Sequence, residues 1–146
     1  MKVRIKKTTP EAILPTYGSV GAAGADLYAL PVGEEITVLP HTTVFIHTGL
    51  SAAIPEGYVG LVYARSGMAC KRDLTPANKV GVIDSDYRGE IMVALHNHGE
   101  AAQTVTPGER IAQLVIAPVM QVAFVEADDL DDTARGVGGF GSTGTK

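Results

Sequence analysis

The sequence predicts an all-β domain, a sandwich or a barrel, with at most one short helix. Short runs rich in β-branched residues recur along the chain, and several alternate apolar and polar residues as half-buried strands do. Proline and glycine occupy many of the gaps between these runs, where they preset turn geometry. No window of helical length keeps a 3.6-residue apolar period, which leaves only a short helix near Ser66 to Cys70.

The predicted strands are, in chain order, residues 3–5, 35–39, 43–47, 50–54, 58–63, 90–97, 103–105, 112–119 and 122–125. Between them lie the turn sequences Pro-Val-Gly at 31–33, Pro-Glu-Gly at 55–57, Asn-His-Gly at 97–99 and Thr-Pro-Gly at 106–108. We interpret these four sequences as hairpin turns.

Composition and charge argue against several classes of protein. The 146 residues suit one domain, which at this length buries about 68–70% of its unfolded surface. A net charge of −4 argues against a nucleic-acid partner, whereas a compact polyphosphate needs only a few local cations. The single cysteine, Cys70, excludes an internal disulfide and fits a reducing compartment.

No segment predicts export or membrane insertion. The opening residues MKVRIKKTTP are followed by no apolar stretch of signal-peptide length. The longest apolar stretch, Leu114 to Val119, is broken by Pro118 and is far shorter than the ~20 residues that span a bilayer. We therefore expect a cytoplasmic protein with no membrane partner.

The composition changes after Val125, so we divide the chain into a β core, 1–125, and a C-terminal segment, 126–146. Five acidic residues lead into the tail RGVGGFGSTGTK; they are Glu126, Asp128, Asp129, Asp131 and Asp132. A solvated flexible linker is one interpretation of this tail. Arg135 and Phe140 favour a functional one, because they place a cation and an aromatic face among glycines.

Two patterns suggest sites that their context does not support. Gly136, Gly138 and Gly141 match a dinucleotide-binding pattern, but no strand and helix can flank them so close to the end of the chain. His96 and His98 have a spacing compatible with zinc, yet no third ligand is evident. We favour exposed histidines beside a turn.

Four segments combine glycine with catalytically useful side chains, around Asp26, Arg65, Asp84 and Gln113. Considered singly, each aspartate fits a turn-capping role better. Together the segments suit phosphoryl transfer, which needs positioning and charge neutralisation. Arginines can neutralise phosphates, one aspartate can orient Mg²⁺ and another can activate water.

Five segments in order, AGADL, ARSGMA, NKVGVIDSDYRG, PGERIAQLV and RGVGGFGSTG, resemble the five motifs of the trimeric deoxyuridine triphosphatase (dUTPase) family. The resemblance covers nearly the whole chain. It implies a jelly-roll-like β fold and a homotrimer with active sites at subunit boundaries. The implied reaction converts dUTP and water into dUMP and pyrophosphate, with Mg²⁺ on the triphosphate.

The resemblance also implies roles for individual residues. Asp84 matches the aspartate that activates water, and Asp26 matches the one that supports the metal through water. The implied phosphate contacts are Arg65, Ser66, Gly67 and Gln113. Tyr87 packs under the deoxyribose, and the implied uracil contacts, in a hairpin, are Asn78, Val82, Ile83 and Met92. The tail residues that close over the ligand are Arg135, Phe140, Ser142 and Thr143.

The second motif departs from the family pattern at Ala64 and Met68, where proline and leucine are usual. Two other readings stay open at this point. A dCTP deaminase resembles the same fold, although the sequence from Asp84 to Tyr87 and the tail favour hydrolysis. A non-catalytic module that senses nucleotide is the second alternative.

Overall fold

The structure, a computed structural model, describes residues 1–139 as twelve strands and one helix. The elements are β1 (Arg4–Lys7), β2 (Thr16–Tyr17), β3 (Ala25–Tyr28), β4 (Ile36–Val38), β5 (Thr43–His47), β6 (Leu50–Ala53), β7 (Tyr58–Tyr63), α1 (Ser66–Arg72), β8 (Leu74–Pro76), β9 (Gly81–Ile83), β10 (Met92–Asn97), β11 (Gln103–Val105) and β12 (Arg110–Pro118). The predicted all-β class is confirmed. The predicted helix is confirmed as α1, which continues two residues past Cys70.

All strand pairs are antiparallel, and they form four sheets. The largest has the order β2-β3-β12-β7-β9, and a three-stranded sheet has the order β5-β10-β8. Two-stranded ladders, β1-β6 and β11-β4, complete the set. One hydrophobic core joins the sheets, with fully buried side chains from three of them such as Leu27, Leu95 and Val105. This shared core holds the functional strands in fixed positions.

Local sequence predicts the strands better than their partners. The predicted strands 43–47, 58–63 and 103–105 match β5, β7 and β11. The predicted strand 122–125 is wrong: this segment is irregular, with Phe124 95% exposed. A β-prone run needs a neighbouring strand and a buried face to form a strand, and within one chain this segment has neither. The strands β2, β3, β8 and β9 were not predicted.

The four predicted hairpin turns are also wrong. Each joins strands that belong to different sheets, β3 to β4, β6 to β7, β10 to β11 and β11 to β12. Asn97 is buried, and its amide nitrogen donates to the carbonyl oxygens of Val38 and Ala101. Proline and glycine preset a chain reversal, but tertiary packing decides which strands pair. In the described part of the chain, no helix has the length and apolar character to cross a membrane.

Candidate active site

A buried carboxylate on β3 organises the first group of predicted site residues. The side chain of Asp26 is only 6% exposed. Arg65 Nε donates to its Oδ1 at 3.0 Å, and Arg110 Nη1 donates to its Oδ2 at 3.2 Å. Gln113 Nε2 lies 3.4 Å from Oδ1. We call Asp26, Arg65, Arg110 and Gln113 the Asp26 cluster.

A β-bulge in β12 makes this cluster possible. Asp26 pairs directly with Gln113 across the sheet, so their side chains share a face. Residues three apart in a regular strand point to opposite faces, which would separate Arg110 from Gln113. The register shifts between Arg110 and Ala112, and Ile111 and Ala112 are both buried. The extra residue returns Arg110 to the face of Asp26.

The Asp26 cluster carries a net positive charge toward solvent, because two guanidinium groups meet one carboxylate. The side chains of Arg65 and Arg110 are 25% and 51% exposed, so an anionic ligand can reach them. Ser66 and Gly67 follow directly and begin α1, both exposed. Backbone N–H groups in the first turn of a helix lack acceptors within the helix. Cations and N–H donors together suit a phosphate chain.

Asp26 is the only predicted metal-supporting residue, and its environment limits how it acts. Oδ1 has two nitrogen neighbours and Oδ2 has one, which leaves one acceptor site on Oδ2. Residues 1–139 contain no group of three or more His, Cys, Asp or Glu side chains placed to hold a metal. The donor set therefore fits a hydrated Mg²⁺ held mainly by phosphate oxygens and contacted through water.

A second group of predicted residues lines a cavity of about 290 Å³ between the edge strand β9 and β10. The predicted residues in its wall are Asn78, Val82, Ile83, Asp84, Tyr87 and Met92. The strand β9 is the last in its sheet, so one side of its backbone has no strand partner there. A Cβ on Gly81 would lie 3.2 Å from Asn78 Nδ2, so glycine lets this amide approach the strand. Free backbone groups at an edge can read a planar base.

The predicted uracil hairpin is not a two-stranded ladder in the structure. Met92 belongs to β10 and pairs with His47, whereas β9 pairs with β7 in another sheet. The segment 84–91 thus links two sheets and lines part of the cavity. We call this segment the 84–91 loop.

The 84–91 loop holds Asp84 at the surface. The carboxylate of Asp84 is exposed, while its backbone carbonyl accepts from Tyr87 N at 3.2 Å. Arg88 Nη1 donates to the carbonyls of Ser85 and Tyr87, which braces the turn. An exposed carboxylate on a braced turn can accept a proton from water.

One chain does not bring Asp84 to the Asp26 cluster. The register places Ile83 three residue steps along the strands and three strands across the sheet from Asp26. With a rise of ~3.4 Å and a strand spacing of ~4.8 Å, the backbones of Ile83 and Asp26 are about 18 Å apart. Groups that act on one phosphate must lie within hydrogen-bond reach of it. Asp84 and Asp26 of the same chain are too far apart for that.

The C-terminal segment contributes one described site residue. Arg135 is exposed, and its Nε donates to Gly138 O at 2.8 Å within the same turn. Phe140, Ser142 and Thr143 lie outside the described residues.

Comparison with known proteins decides the family. The family model for dUTPase matches residues 10–144. The chain belongs to the dUTPase family. The deoxyuridine 5'-triphosphate nucleotidohydrolase of Syntrophotalea carbinolica is 47% identical over 142 residues, covering 97% of this chain and 96% of that protein. The protein of the same name from Desulfitobacterium hafniense is 54% identical over 132 residues, covering 90% of this chain and 87% of that protein.

Solved structures agree with the dUTPase assignment. A dUTPase variant of Staphylococcus bacteriophage 80alpha, described with dUpNHpp, matches with a TM-score of 0.90 at 27% identity and covers 99% of both chains. The dUTPase of phage phi11 of S. aureus, 22% identical with a TM-score of 0.80, shares the fold over 91% of this chain. The predicted jelly-roll-like fold is confirmed.

Several residues at these sites were not predicted as site residues. Arg110 completes the Asp26 cluster, and its place three residues before Gln113 in the fourth motif was the available signal. Phe45 and Glu90 line the cavity. Glu90 directly follows the third motif, which was its available signal. Phe45 has no sequence signal, because it reaches the cavity through the pairing of β5 with β10.

The histidine pair forms local contacts. The rings of His96 and His98 lie edge to face with centroids 4.4 Å apart. Each is hydrogen-bonded to a threonine on a neighbouring strand, His96 to Thr43 and His98 to Thr75. His98 is exposed as predicted, whereas His96 is half-buried on β10.

Proposed function

We propose that this chain is a dUTP diphosphatase that converts dUTP and water into dUMP and pyrophosphate, which supplies dUMP and limits uracil incorporation into DNA. One observation carries the proposal: a dUTPase-family chain presents both a cation cluster suited to a triphosphate and a base-sized cavity with an exposed carboxylate, Asp84, in its wall. The cation cluster suits the triphosphate of dUTP, and the cavity suits its base and sugar.

The cavity supplies base and sugar recognition. Uracil presents one N–H between two carbonyls, which Asn78 and the edge of β9 around Val82 and Ile83 can match, with Met92 on the opposite wall. Cytosine would leave buried partners unpaired, and such losses are costly. Tyr87 lies under the deoxyribose and leaves no space for a 2′-hydroxyl.

Asp84 acts as the general base. It accepts a proton from the water that attacks the α-phosphorus. The bond from that phosphorus to its bridging oxygen breaks, and the electron pair leaves with pyrophosphate. Arg65, Ser66, Gly67 and Gln113 hold the phosphates and offset their charge, which is the larger part of the catalysis of phosphoryl transfer.

Mg²⁺ is the cofactor in this proposal, with Asp26 contacting it through water. When bound, it neutralises charge on the triphosphate oxygens and orients them. The arginines on either side of Asp26 hold its carboxylate in a single orientation.

We also propose a homotrimer with sites shared between subunits. The separation of about 18 Å within one chain supports it, because Asp84 of one subunit must meet the Asp26 cluster of another to act on one nucleotide. The exposed apolar side chains after β12 also support it, with Met120 at 86% and Phe124 at 95% exposure. Exposed apolar segments of this kind mark surfaces that another chain covers.

The division into a core, 1–125, and a closing arm, 126–146, belongs to the same proposal. In it, the arm brings Arg135 and Phe140 over the nucleotide, with Ser142 and Thr143 at the phosphates. A cytoplasmic location is also proposed, supported by the unpaired Cys70.

Product analysis tests the activity. The chain with Mg²⁺ and dUTP should release dUMP and pyrophosphate in equal amounts, with far less from dCTP, dTTP and UTP. Ammonia from dCTP without pyrophosphate would instead establish a deaminase. Binding of dUTP without turnover would establish a sensor.

A further inference from the structure

The side chain of Glu90 joins the substrate-binding 84–91 loop to the corner between β5 and β6. Its Oε2 lies 2.9 Å from His47 Nδ1, and its Oε1 accepts from Gly49 N at 2.7 Å. The side chain is 23% exposed and lines the cavity. Both carboxylate oxygens are thus used to hold the point where the loop enters β10.

The backbone of Glu90 in turn holds Tyr87. Tyr87 Oη donates to Glu90 O at 3.0 Å. The ring lies directly over Gly89, where a Cβ would come within 2.6 Å of Tyr87 Cζ. The position of the ring is therefore set by two consecutive residues, Gly89 beneath it and Glu90 at its hydroxyl.

The adjoining hydrogen bonds do not depend on the Glu90 side chain. Thr48 Oγ1 donates to Ile91 O at 2.6 Å, and Ile91 N donates to Leu50 O at 2.7 Å. These bonds anchor the start of β10 whatever residue stands at position 90. The carboxylate of Glu90 additionally fixes residue 90 itself, whose carbonyl oxygen accepts the hydrogen bond from Tyr87.

We propose that Glu90, clamped by His47 and Gly49, is a positioning residue that holds the Tyr87 ring where it excludes a ribose 2′-hydroxyl. The inference rests on the proposed function. With the clamp released, the ring gains freedom to move away from the sugar, and UTP is accommodated.

Discrimination between dUTP and UTP is the test. Glu90→Ala should raise KM for dUTP with a smaller change in kcat, and should lower the dUTP/UTP ratio of kcat/KM by about tenfold or more. Glu90→Gln keeps the length and the acceptor for Gly49 N, so it should restore much of the ratio. The matched control is Glu100→Ala, which removes another glutamate–histidine pair, with His41 at 3.1 Å, outside the cavity wall.

A double-mutant cycle separates positioning from general loosening. Tyr87→Phe removes the hydroxyl that donates to Glu90 and should relax the ratio by itself. If Glu90 acts through Tyr87, adding Glu90→Ala to Tyr87→Phe lowers the ratio little further. Additive losses would overturn the proposal. If Glu90→Ala does not fold, His47→Ala takes its place in the cycle.

The outcomes also distinguish this inference from the function it rests on. No pyrophosphate from dUTP with the unaltered protein overturns both. Normal turnover of dUTP with an unchanged dUTP/UTP ratio in folded Glu90→Ala overturns the positioning role alone.

Discussion

Two variants that each lose most activity should restore activity when they assemble together. Asp84→Asn removes the proposed base, and a positioned general base typically contributes about 10²–10⁴-fold. Arg65→Ala removes a charge-assisted phosphate contact, a loss of roughly 10–100-fold. Both should fold: the carboxylate of Asp84 is exposed, and Asp26 keeps Arg110 at 3.2 Å when Arg65 is absent.

The expected fraction of restored activity follows from the separation of Asp84 and the Asp26 cluster within one chain. In a symmetric trimer each site takes Asp84 from one chain and Arg65 from another. Random assembly of equal amounts gives half the sites an intact Asp84 and half an intact Arg65, so about a quarter of the sites are complete. Sites contained within single chains would leave every site defective.

The assay is pyrophosphate release from dUTP with Mg²⁺, after the two variants are unfolded and refolded together. Each variant refolded alone gives the background. A second mixture combines the unaltered chain with the double variant; shared sites predict about a quarter of full activity, whereas sites within one chain predict about half. Background activity in verified mixed trimers would refute the shared-site reasoning.

Three further predictions concern the general base Asp84, the thermal stability of the fold at low pH and the C-terminal tail. Asp84→Asn should lose about 10²–10⁴-fold in kcat at unchanged Tm, while Asp86→Asn, the matched carboxylate two residues on, keeps most activity; equal losses would contradict the assignment. Burial raises the pKa of Glu90, but hydrogen bonds from His47 and Gly49 N outweigh it, so the pKa lies below its ordinary value of 4.5. The ionised Glu90 carboxylate stabilises the folded state fully above pH 4.5, and this stabilisation is lost as pH falls through the folded-state pKa. The Tm difference between the unaltered chain and Glu90→Gln should therefore shrink below about pH 4.5. A Tm difference that stays constant with pH would exclude this linkage. Deleting residues 134–146 should abolish most turnover with little change in Tm, because the described part of that segment lies outside the core. Phe140→Trp, in a chain without tryptophan, should change emission more with a non-hydrolysable dUTP analogue and Mg²⁺ than with dUMP, and equal responses would make the tail a linker.

The sequence by itself was enough for the class, the helix and the family. The alternation typical of strands and the lack of a helical period depend only on the spacing of nearby residues. They can therefore be seen without knowing which strands pair. The five ordered motifs likewise contain their chemistry in short segments, so the residues alone indicate Asp26, Arg65, Asp84 and Gln113 as candidates.

Only the tertiary structure decided how those segments combine. Turn sequences predict a reversal but not the sheet that the next strand joins, so the four hairpins were wrong. The bulge in β12 turns the side chain of Arg110 to the face of the sheet that carries Asp26. The bulge is visible only in the pairing of β12 with β3. The separation of Asp84 from Asp26 likewise depends on strand order and register. Strand pairing, the bulge and the strand order all depend on residues far apart in the chain, so no local sequence pattern predicts them.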